Sequence, residues 1–429
     1  MPIFQTVRGM RDLLGKEAQI FTNIMAKAQE TALLFGFKEV FTPHVEHLEL
    51  LSAKSGDEIR QRMFIFEDLG GRQVALRPEF TASIARLATS TLRGESKPLK
   101  LFSVGTVYRY DEPQRGRYRE FWQSNFELIG ADKPEADTEI ILLTNKFMRT
   151  LGLQGYVFKI GHIGVIKGIL SQDGVDEKTQ NAILQRMDKK EYDLALKLVD
   201  SEKCRNTLQY LISIKGKDWR DTVEQINALV SGYEKAKDAA ENLTEILTLI
   251  TSITEISLIV EPAFARGLEY YTGMIFEVYI PQLEIALGGG GRYDRLIEAF
   301  GGEPTPAVGC AHGIDRVAIA LQTQNTACSH RDERKVVVIP ITESVKVEAL
   351  NFAQTLRDQG VSAEFELMGR KMGKALEDAD KRGFDYAIIV GERELKEGAV
   401  VLKDLKKREQ STIPTASLLE KIRWCHKAF

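Results

Sequence analysis

Val107 to Glu127 reads VYRYDEPQRGRYREFWQSNFE, and its pattern changes twice. Leu99 to Arg109 is β-like, Tyr110 to Glu120 is a polar loop carrying Pro113 and Gly116, and Phe121 to Ile129 is β-like again. Side chains alternate across a strand, so Trp122, Phe126 and Leu128 share one face while Phe121, Gln123, Asn125 and Glu127 share the other. A sheet face with one aromatic ring and three polar groups is either wet or a binding surface. Arg109, Arg115, Arg117 and Arg119 stand around the turn. Guanidinium forks match phosphate oxygens, and Phe121 could stack on a base. Taken alone, the same residues describe equally well a solvated hairpin tip whose arginines pair with Asp111, Glu112 and Glu120.

Working outward, apolar residues recur at helical spacing from Ile20 to Phe35, and Gly36 is the stop. Phe37 to Val45 is a β-run interrupted by Pro43, which suits a sheet edge or a subunit contact. Met63 to Phe66 and Gln73 to Leu76 predict a hairpin around Leu69-Gly70-Gly71, and Arg77-Pro78-Glu79 leads into a helix near Thr81. On the other side, Val165 to Ile250 is rich in Lys, Glu, Leu and Ala with helical periodicity, which predicts an inserted helical subdomain. Strands return from Ser257 through FARGLEYYTGMIFEVYI, which places the paired tyrosines on a strand, and through LGGGGRYD. A helix is expected from Gly313 to Leu321, and Gln322 to Arg334 is a polar linker. Beyond it, apolar VVVIPI and YAIIVG alternate with helices near Val345–Gln359 and Lys371–Arg382, the pattern of an α/β domain with a largely parallel sheet. The expected divisions are therefore 1–164, a helical insertion 165–255, a return segment 256–322, a linker 323–334 and a final domain 335–429.

Composition narrows the class without naming a function. At 429 residues, with 43% hydrophobic and 28% charged, the chain reads as a globular protein of two or three domains. No run approaches the roughly 18 apolar residues of a membrane span, and the first residues lack the apolar core of a secretory signal. Cys204, Cys310, Cys328 and Cys425 lie far apart with no C-x-x-C pair, which argues against zinc and disulfides and fits a reducing cytoplasm. A net charge of −3 excludes a basic coat, so any RNA contact must use a local patch.

Two more constellations stand out. Arg266-Gly267-Leu268-Glu269-Tyr270-Tyr271-Thr272-Gly273 puts an arginine beside a small residue, although paired tyrosines are ordinarily core. Gly288 to Gly291 lacks side chains where a strand should have them, so something packs on that face; the run has neither a P-loop lysine nor the spacing of a dinucleotide fingerprint. In PAVGCAHGIDRVAIAL, Arg316 falls in the first turn of a helix beside Asp315, a place that suits a nucleotide phosphate. By itself it is an ordinary turn with a surface Asp–Arg pair. The histidines are dispersed, no Ser/His/Asp or Cys/His set is evident, and a structural or surface role is expected for each.

In order and spacing these segments resemble the histidine-specific members of the class II aminoacyl-tRNA synthetases over nearly the whole chain. Phe37–Glu46 with Pro43 is similar to the first class motif, Arg109–Glu127 to the second and Val308–Arg316 to the third; RGLEYY, LRPEFT and GGRYD indicate the amino acid. The resemblance implies an α+β catalytic domain on a mostly antiparallel sheet with a helical insertion, and a C-terminal α/β anticodon-binding domain. It implies ATP-dependent activation of L-histidine to histidyl-adenylate, transfer to tRNA(His), Mg²⁺ and a homodimer. Glu79 and Thr81 would take the α-ammonium, and Glu127 and Tyr270 the imidazole, with Gln123, Tyr271 and Tyr293 lining the pocket. Arg109 and Arg266 would act at the α-phosphate as the catalytic cations, Arg117 and Arg316 on the outer phosphates, Phe121 on adenine, and Asp111 on its amino group or a nearby metal.

Three positions depart from the family pattern: Phe80 follows the binding-loop glutamate where glycine is common, Glu269 replaces aspartate, and Asp315 replaces glutamate. The last bears on the metal, for which Asp315 is a candidate. No editing domain is expected, because a pocket built around imidazole hydrogen bonds rejects isosteres directly. In the C-terminal domain Lys371, Lys374, Lys381, Arg382, Lys403, Lys406, Lys407 and Arg408 are candidate phosphate contacts. Alternatives are a catalytically silent regulatory paralogue, disfavoured by the C-terminal domain and the retained arginines; a glycine, threonine or proline enzyme of the same class, disfavoured by RGLEYY and GGRYD; and a general RNA-binding protein, disfavoured by the charge.

Overall fold

The helix Gly15–Leu34 buries Phe21, Ile24, Ala28 and Ala32 along one stripe and gives way to Gly36, whose φ of +74° suits a residue without a Cβ. The computed structural model describes residues 4–53, 60–216, 218–266, 270–283, 285–326 and 335–423. The chain divides into two compact units, Met1–Cys328 and Ser329–Phe429.

In the first unit the strands, numbered in chain order, are β1 (Lys38–Glu39), β2 (Val45–His47), β3 (Ile65–Glu67), β4 (Gln73–Leu76), β5 (Leu99–Tyr108), β6 (Glu120–Ile129), β7 (Val157–His162), β8 (Leu258–Val260), β9 (Met274–Ile280), β10 (Ile285–Arg292) and β11 (Ala307–Gly313). Eight of them form one sheet in the order β1-β5-β6-β11-β10-β9-β7-β8. Every inner pairing is antiparallel; only the outermost, β1/β5 and β7/β8, are parallel. The run Phe37–Val45 is split by Pro43: Lys38 and Glu39 sit at the sheet edge, and Val45 opens a separate three-stranded sheet with β4 and β3. Proline has no N–H to extend either ladder there.

Phe126 and Leu128 turn into the main core with Phe102, Ile140 and Phe147, while Phe121, Gln123, Asn125 and Glu127 line a cavity on the opposite face. Helices Ile163–Gln172, Glu177–Asp188, Tyr192–Leu196, Glu202–Ser213, Trp219–Val230 and Glu234–Ile253 fill the stretch between β7 and β8. Asp176, Ser201 and Asp218 cap three of them through side-chain acceptors. Their apolar faces do not form a separate nucleus: Ile166, Ile169, Leu243 and Leu247 belong to the same buried cluster as the sheet.

Tyr270 and Tyr271 lie ahead of β9 rather than on a strand, a correction to the sequence reading. Thr272 and Gly273 make hydrogen bonds to Arg292 and Ile163 that draw this segment aside before the ladder begins. Gly267, Leu268 and Glu269 fall outside the described residues, as do 327–334 of the expected linker. The helix after β11 runs Ile314–Thr323, with Arg316 in its first turn.

The second unit holds β12 (Val336–Pro340), β13 (Ala363–Phe365), β14 (Tyr386–Val390), β15 (Ala399–Asp404) and β16 (Glu409–Pro414) in the order β13-β12-β14-β15-β16. The first two pairings are parallel and the last two antiparallel. The sheet is thus mixed rather than largely parallel, because a hairpin with Arg408 at φ +59° closes the C-terminal edge. Helix Lys346–Asp358 covers one face through Ala349, Ala353 and Leu356, and Met372–Lys381 covers the other through Ala375 and Ala379. Among the described residues, no helix is long and apolar enough to cross a membrane.

Candidate active site

Glu127 is 1% exposed and sits on the inward face of β6. Its Oε1 accepts from the Thr81 hydroxyl and from Asn125 Nδ2, each at 2.6 Å, and its Oε2 accepts from the Tyr293 hydroxyl. Burial pushes its pKa up to about 7, against the pull of these three donors. Three of the four lone-pair positions of the carboxylate are used by the protein, which leaves one for an incoming donor. Tyr270 stands beside it, with ring centroids 4.9 Å from Tyr271 and 5.8 Å from Tyr293. Burial raises all three phenols, Tyr271 to about 12, so each keeps its proton and can donate.

Glu79 caps the helix Thr81–Thr89, its carboxylate accepting from the Thr81 amide at 2.5 Å and the Ala82 amide at 2.9 Å. It lines the same cavity as Gln123, whose Oε1 is buried without a hydrogen-bond partner and so offers an acceptor to a ligand. A carboxylate, an open amide oxygen and a ring of tyrosines make one end of the cavity suited to a small zwitterion with a polar ring.

The other end is cationic. The cavity, of ≈ 400 Å³, is lined by Arg62, Arg109, Arg117, Arg266 and Arg316, drawn from widely separated segments. Arg109 donates to the Pro78 carbonyl at 2.9 Å and lies 5.3 Å from the Phe121 ring. Arg316 meets the carbonyls of Gly116 at 3.2 Å and Ala286 at 3.1 Å. Arg117 is exposed at the rim. Arg266 pairs with Glu277 at 2.8 Å; burial pulls its pKa down, but Tyr271 and Glu277 outweigh it and the group stays firmly charged. The glycine run serves this arrangement. A Cβ on Gly289 would lie 3.3 Å from the Arg266 guanidinium and 2.6 Å from the Phe276 carbonyl, so β10 must be bare there.

Not every residue singled out from the sequence faces the cavity freely. Asp111 accepts two bonds of 2.5 Å from Arg62. Asp315 accepts from Arg11 at 2.6 Å and from the Trp122 amide at 2.7 Å, and burial raises its pKa. Arg119 is buried beneath Tyr110 at 3.7 Å and Arg115 is exposed, so the four-arginine cluster around the turn divides. Arg62, Asn125, Asp188 and Glu277 line the cavity without having been named as site residues. Asn125 and Glu277 could have been found from alternation on their strands; Arg62 and Asp188 arrive from distant segments and left no local signal. His162 and His312 are buried and His44 and His47 exposed, while His330 and His426 lie outside the described residues. Among the described residues no group of three or more His, Cys, Asp or Glu could hold a metal. In the second unit Lys381, Arg382 and Lys406 are engaged with Glu377, Glu364 and Asp385.

A histidyl-tRNA synthetase family model matches residues 9–317, and an anticodon binding domain model matches 335–424. The chain is 38% identical over 416 residues to a histidine–tRNA ligase of Methanocaldococcus jannaschii, covering 96% of this chain and 97% of that one. It is 37% identical over 426 residues to the histidine–tRNA ligase of Sulfolobus acidocaldarius, covering 98% of each. Among solved structures, an ATP phosphoribosyltransferase regulatory subunit/histidyl-tRNA synthetase from Bacillus halodurans aligns with a TM-score of 0.76 at 27% identity, over 90% of this chain and 98% of that one. The histidyl-tRNA synthetase of Nostoc sp. PCC 7120 aligns with a TM-score of 0.80 over 99% and 100%; its 22% identity speaks to fold alone. Matched almost end to end by such relatives, this chain belongs to the histidyl-tRNA synthetase family.

Proposed function

We propose that the protein is a histidine–tRNA ligase, which activates L-histidine with ATP to histidyl-adenylate and transfers the histidyl group to tRNA(His). One observation carries the reading: Arg109, Arg117, Arg266 and Arg316 line the same cavity as Glu79, Glu127 and the tyrosines. In activation the histidine carboxylate attacks the α-phosphorus in line and pyrophosphate leaves. Two anions repel, so the site must supply positive charge before orientation matters. Arg109 and Arg266 act at the α-phosphate, Arg117 and Arg316 on the outer phosphates, and Phe121 stacks on adenine beside Asp111. Glu79 and Thr81 receive the ammonium end, and Gln123 lines the pocket. Glu127 and Tyr270 hold the imidazole, with Tyr271 and Tyr293 closing the pocket.

The residues present offer Mg²⁺ little of their own, since Asp315 is bonded to Arg11 and the Trp122 amide and Glu277 to Arg266. Without a cage of three or more acidic or histidine ligands among the described residues, the ion would be held chiefly by phosphate oxygens and water, with Glu277 or Asp315 as the protein carboxylate, and would neutralise phosphate charge. Exposed Phe41 and Val45, two residues to either side of Pro43, support a homodimer contact. Buried, unpaired Cys204 and Cys310 support a reducing, cytoplasmic setting. We assign 1–164 and 256–322 to catalysis, 165–255 to the helical insertion, 323–334 to the linker and 335–429 to anticodon binding.

The test is ATP–pyrophosphate exchange across all twenty amino acids. Histidine alone should support turnover. Exchange with glycine, threonine or proline, or none with histidine, overturns the reading.

A further inference from the structure

The segment that carries Tyr270 and Tyr271 is clamped from two sides. On one, the Thr272 amide donates to the Arg292 carbonyl at 2.8 Å, and the Thr272 hydroxyl donates to Asp294 at 3.1 Å. On the other stands helix Ile163–Gln172, the first of the helical stretch. Its Ile163 amide donates to the Gly273 carbonyl at 3.0 Å, and one turn later Lys167 Nζ donates to the Tyr271 carbonyl at 3.2 Å. The helix thus offers a free first-turn amide and, one turn on, a side-chain ammonium to two alternate carbonyls of this segment.

That helix is itself closely located. A Cβ on Gly168 would lie 2.4 Å from the Ala236 nitrogen, so helices Ile163–Gln172 and Glu234–Ile253 approach backbone to backbone. Lys167 is half-buried on the wall of a cavity of ≈ 510 Å³ that also touches Tyr270. Water entering there could solvate the Tyr271 carbonyl after loss of the ammonium, but would not hold it at a set distance from the helix.

We propose that Lys167 is a positioning residue for the histidine pocket: through the Tyr271 carbonyl, the helical insertion sets where Tyr270 and Tyr271 stand and so takes part in amino-acid binding. This rests on the pocket assignment above. The charge on the donor strengthens the bond, and the stem anchors it to a helix packed into the main core.

The test is pyrophosphate exchange and tRNA charging by the full-length enzyme and its Lys167→Met and Lys167→Arg variants. Methionine keeps the apolar stem and removes the ammonium, which guards against simple unfolding. Lys167→Met should raise the KM for histidine by about tenfold, the scale of one charge-assisted hydrogen bond, and leave the KM for ATP and for tRNA unchanged. Lys167→Arg should recover most of the loss. An unchanged histidine KM, parallel rises for histidine and ATP, or an effect confined to tRNA each overturns the proposal. Wild-type enzyme without histidine-dependent exchange would instead remove the pocket assignment, and the proposal with it.

Discussion

Gly309 on β11 lies opposite Glu127 on β6, and a Cβ at that glycine would come 1.8 Å from the Glu127 Oε2. The buried carboxylate occupies the space that any larger residue would need. Gly309→Ala should therefore displace Glu127 from its bonds with Thr81, Asn125 and Tyr293. The expected outcome is a rise of roughly 10² in the histidine requirement for pyrophosphate exchange, the scale of one hydrogen bond to a charged group, with a smaller effect on ATP. The overpacking should lower stability by about 1–3 kcal/mol, readable by urea denaturation. Wild-type histidine affinity in the variant would show that the carboxylate has room to move.

Arg266→Ala removes a cation held by Glu277 at the cationic end of the cavity. Adenylate formation should fall by about 10²–10³, the usual scale for one preorganised charge-stabilising group, while the far-ultraviolet circular dichroism stays that of the wild type. Single-turnover formation of histidyl-adenylate is the direct measurement; a near-normal rate would mean that Arg266 stabilises no developing charge.

Glu127 ionises at about 7 because it is buried, so below that pH it is largely the neutral acid and loses acceptor capacity toward a ring N–H. The kcat/KM for histidine should rise with pH through about 7, with the kcat/KM for ATP nearly flat. Histidine's own ring titrates nearby, and the Glu127→Gln variant separates the two: it should need much more histidine and lack the inflection that belongs to the enzyme. An identical pH profile in wild type and variant would assign the inflection elsewhere.

His162 is held neutral by burial, its pKa lowered to about 4, with Asn242 at 3.2 Å from Nε2 and the Gly164 amide bonded to Nδ1. A folded-state pKa below the unfolded one gives stability that is complete above about 6.5 and is lost as pH falls toward 4. The loss should reach about 3 kcal/mol from this group at the acid end of that window. Urea-unfolding curves from pH 7 to pH 4 on wild type and His162→Gln should converge as the pH falls; parallel curves would show that the ring does not titrate on unfolding.

Much of the eight-stranded sheet was legible in one short stretch. Alternation along Phe121–Glu127 separates core from cavity because a strand points successive side chains to opposite faces, a rule that needs no knowledge of neighbouring strands. Gly36 ending a helix, Pro43 dividing a β-run and the bare strand Gly288–Gly291 followed from backbone chemistry alone. The arginines and the glutamate could be named residue by residue because their order matched a family pattern.

Partnership between distant residues was not written in that way. Asp111 is tied to Arg62 and Asp315 to Arg11, and both ion pairs depend on how separate segments are brought together in space. Tyr270 and Tyr271 stand ahead of their strand because Ile163, Lys167 and Arg292 hold them there, and Glu127 has room because a facing residue is glycine. Local sequence sets periodicity and chirality over a few residues; which donor finds which acceptor is settled by packing across hundreds, where one carbonyl can accept from whichever helix the core presses against it.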